Sequence, residues 1–415
     1  MKPYLDEMGT PSTEVELELI LDRPADSGAA VGRDDQGRVA FVDGGLAGER
    51  VRVEVTEAKK RHVRASVLEV LEPSPHRIVP ACPTLHSGCG GCDLAHATPA
   101  HQREVKLHVV RDSLQRIGRL STELVDEVVD PVVRVPGQGE GYRTTVRTAL
   151  ADGRASYRRR RDHAVVPVQA CGVTHRLIEE LLVEARFEPS AGDSAMFRAS
   201  VATGERMIVI DGDPVGVSAP GDVDVVTRKS LDAGVEAYLF EEAAGRRWRV
   251  SADSFFQAGP TVAAALVDTV RELAGPVAGQ RIVDAYAGIG LFAGTIGSDA
   301  AHVTAVERAG SSTRDARVNL DDGVEIVESD VDRWTSPPAA DLVIADQPRN
   351  GLGRGGVDVL TKSRAERFVL VSCDPGSLGR DIALLGEAGY SPKQVVLVDA
   401  FADTSHVETV VLLGA

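Results

Sequence analysis

Apolar positions follow two rhythms along this chain. Near the start they alternate with polar ones, in VELELILD (15–22), RVAFVD (38–43), ERVRVEVTEA (49–58) and VRASVLEVLE (63–72). Turn signals such as Asp35-Gln36-Gly37 and Asp43-Gly44-Gly45 separate these runs. Short alternating strands at this spacing predict a small β-barrel of the five-stranded oligonucleotide-binding type. The proline-rich stretch 72–80 then reads as a linker, followed by a cysteine cluster and a helical run near 100–118. Between 131 and 245 the pattern is mixed, with a strand-like YRTTVRTAL (142–150) and a helical HRLIEELLVEA (175–185).

From Trp248 onward the rhythm changes. Val262, Leu266, Val270 and Leu273 recur on one face of a predicted helix. Near-continuous apolar strands follow, alternating with helices: RIVDAYAG, HVTAVE, VEIVESD, DLVIADQP and RFVLVSC, closed by QVVLVDAF and HVETVVLL. Such alternation predicts an α/β fold with a parallel sheet covered on both faces, Rossmann-like in outline. The expected domains are a barrel at 1–72, a central mixed α+β domain at 73–245 and the α/β domain at 246–415. Ligands of open parallel sheets bind beyond the carboxyl ends of the strands. That rule points to Asp284, Glu307, Asp330, Asp346 and Cys373.

Composition adds limits. At 415 residues and 43% hydrophobic, the chain is long enough for two or three domains. No apolar run approaches the roughly 20 residues that cross a bilayer. The start, MKPYLDEMGTPSTEVELEL, lacks the basic and apolar segments of an export signal. A cytoplasmic monomer with no membrane partner is expected. A net charge of −16 speaks against nucleic acid if read alone. Yet Gly141–Arg161 carries seven arginines, including Arg143, Arg158, Arg159, Arg160 and Arg161, against one acid, Asp152. Lys59-Lys60-Arg61 and Arg64 form a smaller cluster. Such clusters hold RNA phosphates, and a solvated charged face is the alternative that charge alone leaves open.

Asp284-Ala-Tyr-Ala-Gly-Ile-Gly290 follows a strand and opens a helix. Its glycines permit a tight turn, and the helix start offers unpaired N–H groups. Glu307, after the next strand, is placed to accept from both hydroxyls of a ribose, and Asp330, after the third, from an adenine amino group. The D-x-x-x-G-x-G spacing differs from the dinucleotide fingerprint and fits an adenosyl ligand without pyrophosphate. S-adenosylmethionine suits it better than NAD. Cys373, in Val371-Ser-Cys-Asp-Pro375, lies at a strand end just before a helix, where a thiolate can be stabilised. The other cysteines form C-x6-C-x2-C at Cys82, Cys89 and Cys92, with Cys171 a distant fourth. Spacing alone leaves an iron–sulfur cluster, zinc or unligated thiols open.

These segments carry a resemblance. In order, FFQ (255–257), DAYAGIGLF, VTAVE, DLVIADQPRNG, FVLVSCDP and DAFADTSHVETVVLL resemble the RNA uracil-5-methyltransferase family. Gly37-Arg-Val-Ala-Phe41 and Pro-Ser-Pro-His-Arg (73–77) resemble that family's TRAM domain, so the likeness spans nearly the whole chain. It implies a class I methyltransferase domain, with Cys373 as nucleophile and Glu408 as base. Gln257, Tyr286, Glu307, Asp330 and Asp346 would contact S-adenosylmethionine. A [4Fe–4S] cluster, with zinc as the alternative, would sit on Cys82, Cys89, Cys92 and Cys171. The substrate implied is RNA, ribosomal favoured over transfer. The chain departs from the family pattern at several points. Gln347 stands in the usual DPPR, Ala287 where Cys is frequent, Gly259 and Asp374 where Asn is common, and Ala402 in place of Pro. Two rivals remain: an RNA-binding iron–sulfur protein with a vestigial methyltransferase domain, and a methyltransferase for another acceptor such as cytosine. Against cytosine, the loop after the fourth strand holds Gln347-Pro348 and no thiol.

Overall fold

A computed structural model describes residues 16–137, 141–335 and 339–415. Most of the start on which the absence of an export signal was read, residues 1–15, lies outside them. No helix among the described residues is long and apolar enough to cross a membrane. The chain forms two compact units.

The first unit comprises Met1–Ala81, Gly91–Val110 and Asp403–His406. Its strands β1 (Glu16–Pro24), β2 (Ala29–Arg33), β3 (Val39–Asp43), β4 (Arg50–Ala58) and β5 (His62–Glu72) close into a barrel of order β1-β2-β3-β5-β4. Alternation does what it predicted in β4, where Val51, Val53 and Val55 turn into the barrel core. The reading named no strand at β2, because its first four residues, Ala-Ala-Val-Gly, are all buried and show no alternation. The stretch read as a linker is corrected by a buried carboxylate. Glu49 is fully buried and accepts from Leu46 N (2.8 Å), Ser74 N (3.1 Å) and Arg77 Nε (2.6 Å), so residues 74–77 are fastened to the barrel. His76 and His101 stack in this unit with their rings 4° from parallel. Parallel rings do not direct two lone pairs at one ion, so this pair reads as packing.

The second unit comprises Cys82–Gly90, Arg111–Ala402 and Val407–Ala415. Its first strands are β6 (Thr145–Ala151), β7 (Arg154–Arg158), β8 (Val165–Pro167), β9 (Arg186–Phe187), β10 (Ser194–Ala199), β11 (Arg206–Ile210), β12 (Val217–Ser218) and β13 (Asp224–Thr227). Six of them form a sheet of order β13-β11-β10-β6-β7-β8, covered by the amphipathic helix Arg176–Glu184 through Ile178, Leu181 and Leu182. A hairpin of β14 (Tyr238–Ala243) and β15 (Arg246–Ser251) leads to the helix Pro260–Ala274.

The last sheet holds β16 (Arg281–Ala285), β17 (His302–Glu307), β18 (Val324–Glu328), β19 (Leu342–Asp346), β20 (Arg367–Ser372), β21 (Ser391–Val398) and β22 (Glu408–Gly414). Their order is β18-β17-β16-β19-β20-β22-β21, with β16 to β20 parallel and β22 antiparallel to both its neighbours. Val262, Leu266, Val270 and Leu273 are all buried, as their spacing predicted. Chain reversal at β16 sends the next strands to opposite sides, which creates the crevice where such sheets take ligands.

Candidate active site

Every proposed residue of the adenosyl and catalytic groups sits at or just past a carboxyl end of this sheet, or against one. Asp284, near the end of β16, is fully buried; its Oδ2 accepts from Ala293 N at 2.8 Å while Oδ1 has no hydrogen-bond partner. Burial pushes this carboxyl up to about 8. Tyr286 follows in the left-handed region at φ 61°, a conformation that costs a non-glycine residue about 1 kcal/mol or more. Gly290 at φ 92° has a second reason to be glycine, since a Cβ there would lie 2.8 Å from the Leu320 side chain. Glu307 ends β17 with Oε2 accepting from Gly288 N (3.0 Å) and Oε1 from Ala309 N (2.7 Å). Each oxygen keeps a further lone pair for a hydroxyl. Asp330 lies two residues past β18, 3.7 Å from Arg308 in an exposed ion pair.

Asp346 ends β19. Gln257 Nε2 donates to its Oδ2 at 2.9 Å, and burial pushes the carboxyl up to about 7. Gln257 is itself 6% exposed, held by a scaffold the sequence did not announce. Arg198 is buried and donates to Ser251 O (2.5 Å) and Ser254 O (2.7 Å). Asp315 accepts from Ser251 N (2.7 Å) and Ser254 Oγ (2.6 Å). These bonds fix the segment just before Gln257. Gly259, where the family often has Asn, is required by packing: a Cβ there would lie 2.0 Å from Tyr142 O.

The register of β20 and β22 brings the two reactive candidates together. Ser372 pairs with Thr409, so Cys373 and Glu408 are the next residues at the same end of adjacent antiparallel strands. Partners across such a pair stand about 4.5–5.5 Å apart at Cα. Glu408 is 5% exposed and its Oε2 has no hydrogen-bond partner. Burial, with the neighbouring Asp346 carboxylate, raises it well above the usual carboxylate range, and Arg349 opposes the rise. The Cys373 thiol is pushed up to about 12 by burial first, then by Glu408 and Asp346, against Arg349. The adjacent helix Pro375–Glu387 lends it little, because Asp374 Oδ1 already caps that helix through Ser377 N at 2.6 Å. Burial thus disfavours the charged form of both groups, and the two charges disfavour each other.

The cysteine cluster divides. Cys82, Cys89 and Cys171 belong to the second unit and Cys92 to the first, and none of the five cysteines is in a disulfide. Cys82 Sγ lies 3.8 Å from Ala170 O, beside Cys171, whose Sγ takes a 3.7 Å contact from Tyr157 OH. The Tyr157 phenol is raised by burial first, and then by Cys171 and Cys89. The three sulfurs of this unit do not all lie within 4.8 Å of one another. Thiolates as a class are soft ligands for an iron–sulfur cluster or zinc. The arginine run folds against this loop. Gly90 N donates to Arg158 O at 3.0 Å, Cys89 bridges Arg159, and a Cβ at Gly90 would lie 2.6 Å from Arg160 N. Arg158, at the end of β7, and Arg159 and Arg161, in the turn that leads to β8, are exposed. Arg143 is set apart from them, half-buried with its guanidinium 6.0 Å from the Phe401 ring.

Comparison with known proteins agrees with this geometry. The TRAM domain family matches residues 15–68. A protein of Streptomyces avermitilis named as an uncharacterized RNA methyltransferase is 34% identical, over 96% of this chain and 98% of its own. One of the same name from Streptomyces coelicolor is 36% identical, over 96% and 92%. Among solved structures, the tRNA (uracil-54, C5)-methyltransferase of Pyrococcus abyssi in complex with S-adenosyl-L-homocysteine superposes with a TM-score of 0.69, over 95% of this chain and 99% of that one. At 23% identity that likeness establishes a shared fold.

Proposed function

The chain belongs to a family of RNA methyltransferases, and from that premise we propose that it is a uracil-5-methyltransferase, acting on carbon 5 of a uridine in RNA through a covalent bond to Cys373. The observation that carries this reading is the placement of Cys373 beside Glu408 at paired strand ends, on the same sheet edge as Asp284, Glu307 and Asp346.

Uracil carbon 5 is a poor nucleophile until carbon 6 is attacked. The Cys373 thiolate adds to carbon 6 and leaves an enolate, whose carbon 5 takes up a methyl group. When bound, S-adenosylmethionine would supply that methyl as an electrophile on its sulfonium, whose sulfur keeps the electron pair of the broken bond and leaves as a neutral thioether. Gln257, Tyr286, Glu307, Asp330 and Asp346 are assigned to hold it, with Glu307 on the ribose hydroxyls and Asp330 on the adenine amino group. Glu408 then removes the carbon-5 proton, and the electron pair left behind expels the Cys373 sulfur. The unpaired Glu408 oxygen supports this role, since a buried carboxylate oxygen without a partner is uncommon unless a substrate supplies one. Ribosomal RNA is the favoured substrate over transfer RNA, held in part by Arg143 and Arg158–Arg161. In RNA tritiated at carbon 5 of uridine, the protein is expected to release tritium in proportion to 5-methyluridine formed. Methylation without tritium release would assign the methyl to another atom.

Cys82, Cys89, Cys92 and Cys171 are assigned to a [4Fe–4S] cluster, with zinc the competing occupant. No electron is required for methyl transfer, so the group is given a structural role next to the arginine turn. Protein purified without oxygen is expected to be brown and to contain about four irons per chain. A colourless protein with one zinc would decide for the competitor.

A further inference from the structure

The loop after β19 carries a buried amide that the chemistry above leaves unused. Gln347 is 3% exposed. Its Nε2 donates to Ser372 Oγ at 2.8 Å and its Oε1 accepts from Leu352 N at 3.1 Å. The side chain also bonds the Asp381 carboxylate, and these bonds are unequal in consequence. Leu352 N also donates to Asp381 Oδ2 at 2.9 Å, so it stays paired without Gln347. Ser372 Oγ has no other donor among the described hydrogen bonds. Ser372 is the residue before Cys373, and its carbonyl accepts from Thr409 Oγ1 at 3.0 Å. Thr409 is the residue after Glu408. Ser372 Oγ also donates to Asp374 O at 3.2 Å, on the far side of the thiol.

The bonds of Gln347 and Thr409 thus meet on the residue beside the sulfur, and Thr409 adjoins the carboxylate. We propose that Gln347 is a positioning residue: the chain Gln347–Ser372–Thr409 fixes the direction of the Cys373 sulfur against Glu408. The proposal rests on the reading of Cys373 as the nucleophile. A side chain that only filled space here would need neither amide end, and burying an amide is costly unless it is paired. The bond to Ser372 is the one that restrains the reacting residue. Loss of such restraint misplaces a reacting atom by a fraction of an ångström to an ångström, which costs roughly tenfold to a hundredfold in rate.

The test is a double-substitution cycle of Gln347→Met, Ser372→Ala and both together, with two readouts on the full-length protein. The first is the rate of covalent capture of RNA containing 5-fluorouridine at saturating S-adenosylmethionine. The second is alkylation of Cys373 by iodoacetamide without RNA, followed on its own peptide by mass spectrometry. Each single variant is expected to slow capture roughly tenfold or more and to speed alkylation several-fold, as the sulfur swings free. Affinity for S-adenosylmethionine should not move. Because the Gln347–Ser372 bond is the one that both substitutions remove, the double variant should be no worse than the slower single one. Capture within twofold of the unaltered protein, or effects that simply multiply in the double variant, would overturn the proposal. Alkylation needs no uridine, so an unchanged rate there overturns it even if the RNA chemistry is misassigned.

Discussion

Replacing Cys373 with alanine is expected to abolish covalent capture of 5-fluorouridine RNA and to lower methylation by on the order of 10⁴-fold or more. Fluorine at carbon 5 cannot leave as a cation, so a base has nothing to remove and the adduct persists through denaturing electrophoresis. Cys82, Cys89, Cys92 and Cys171 are separated in sequence from the sheet edge and should not substitute for it. Burial pushes the Cys373 thiol up to about 12, so the reactive thiolate is scarce at neutral pH. Capture by the unaltered protein should therefore quicken as pH rises through the neutral and mildly alkaline range. A shifted band that survives C373A would remove this sulfur from the reaction.

Glu408→Gln should fail at the other end of the cycle. The substitution keeps the shape of the side chain and removes its basicity, which for a positioned base is worth about 10²–10⁴-fold. Adduct formation is expected to continue, because a nearby negative charge that disfavours the thiolate has been taken away. Release is expected to stop. Ordinary uridine RNA, methylated but still bound through carbon 6, should then accumulate on the protein. The pH dependence has a definite sign. Burial and Asp346 raise Glu408 well above its ordinary range, so the proton must be lost for it to act as a base. Turnover should climb with pH, and the climb attributable to release should vanish in the glutamine variant. Rapid turnover by E408Q without trapped RNA would reassign the base.

Much of the site was legible because strand ends are legible. An apolar run ending in an acid or cysteine marks the ligand edge of a parallel sheet, and Asp284, Glu307, Asp346 and Cys373 were all marked so. What escaped were partners far apart in sequence. Gln257 meets Asp346 across 89 positions, and Arg198 serves carbonyls more than 50 residues later. An arginine with no neighbouring acid reads as surface, yet this one is buried and its pKa falls to about 10. The central sheet was illegible for a related reason. Met207–Ile210 in β11 are buried on both faces, and β8 is three residues long, so neither gives a period to read. Arg143 shows the limit of counting charge, since it shares a segment with the exposed arginines but packs over Phe401.

The pairing of β20 with β22 has a consequence for how this protein tolerates change in length. Glu408 owes its place to a ladder that continues through Val371↔Val410 and Leu370↔Val411, not to the course of the preceding loop. Residues added between Val398 and Val407 need not shift that ladder, provided Asp403 and Ser405 keep their bonds to Gln102 and Asp93 in the first unit. One residue inserted after Thr409 would turn the strand over, sending valines to the wrong layer. The seven residues of β22, Glu408–Gly414, are therefore expected to admit substitution far more readily than insertion or deletion.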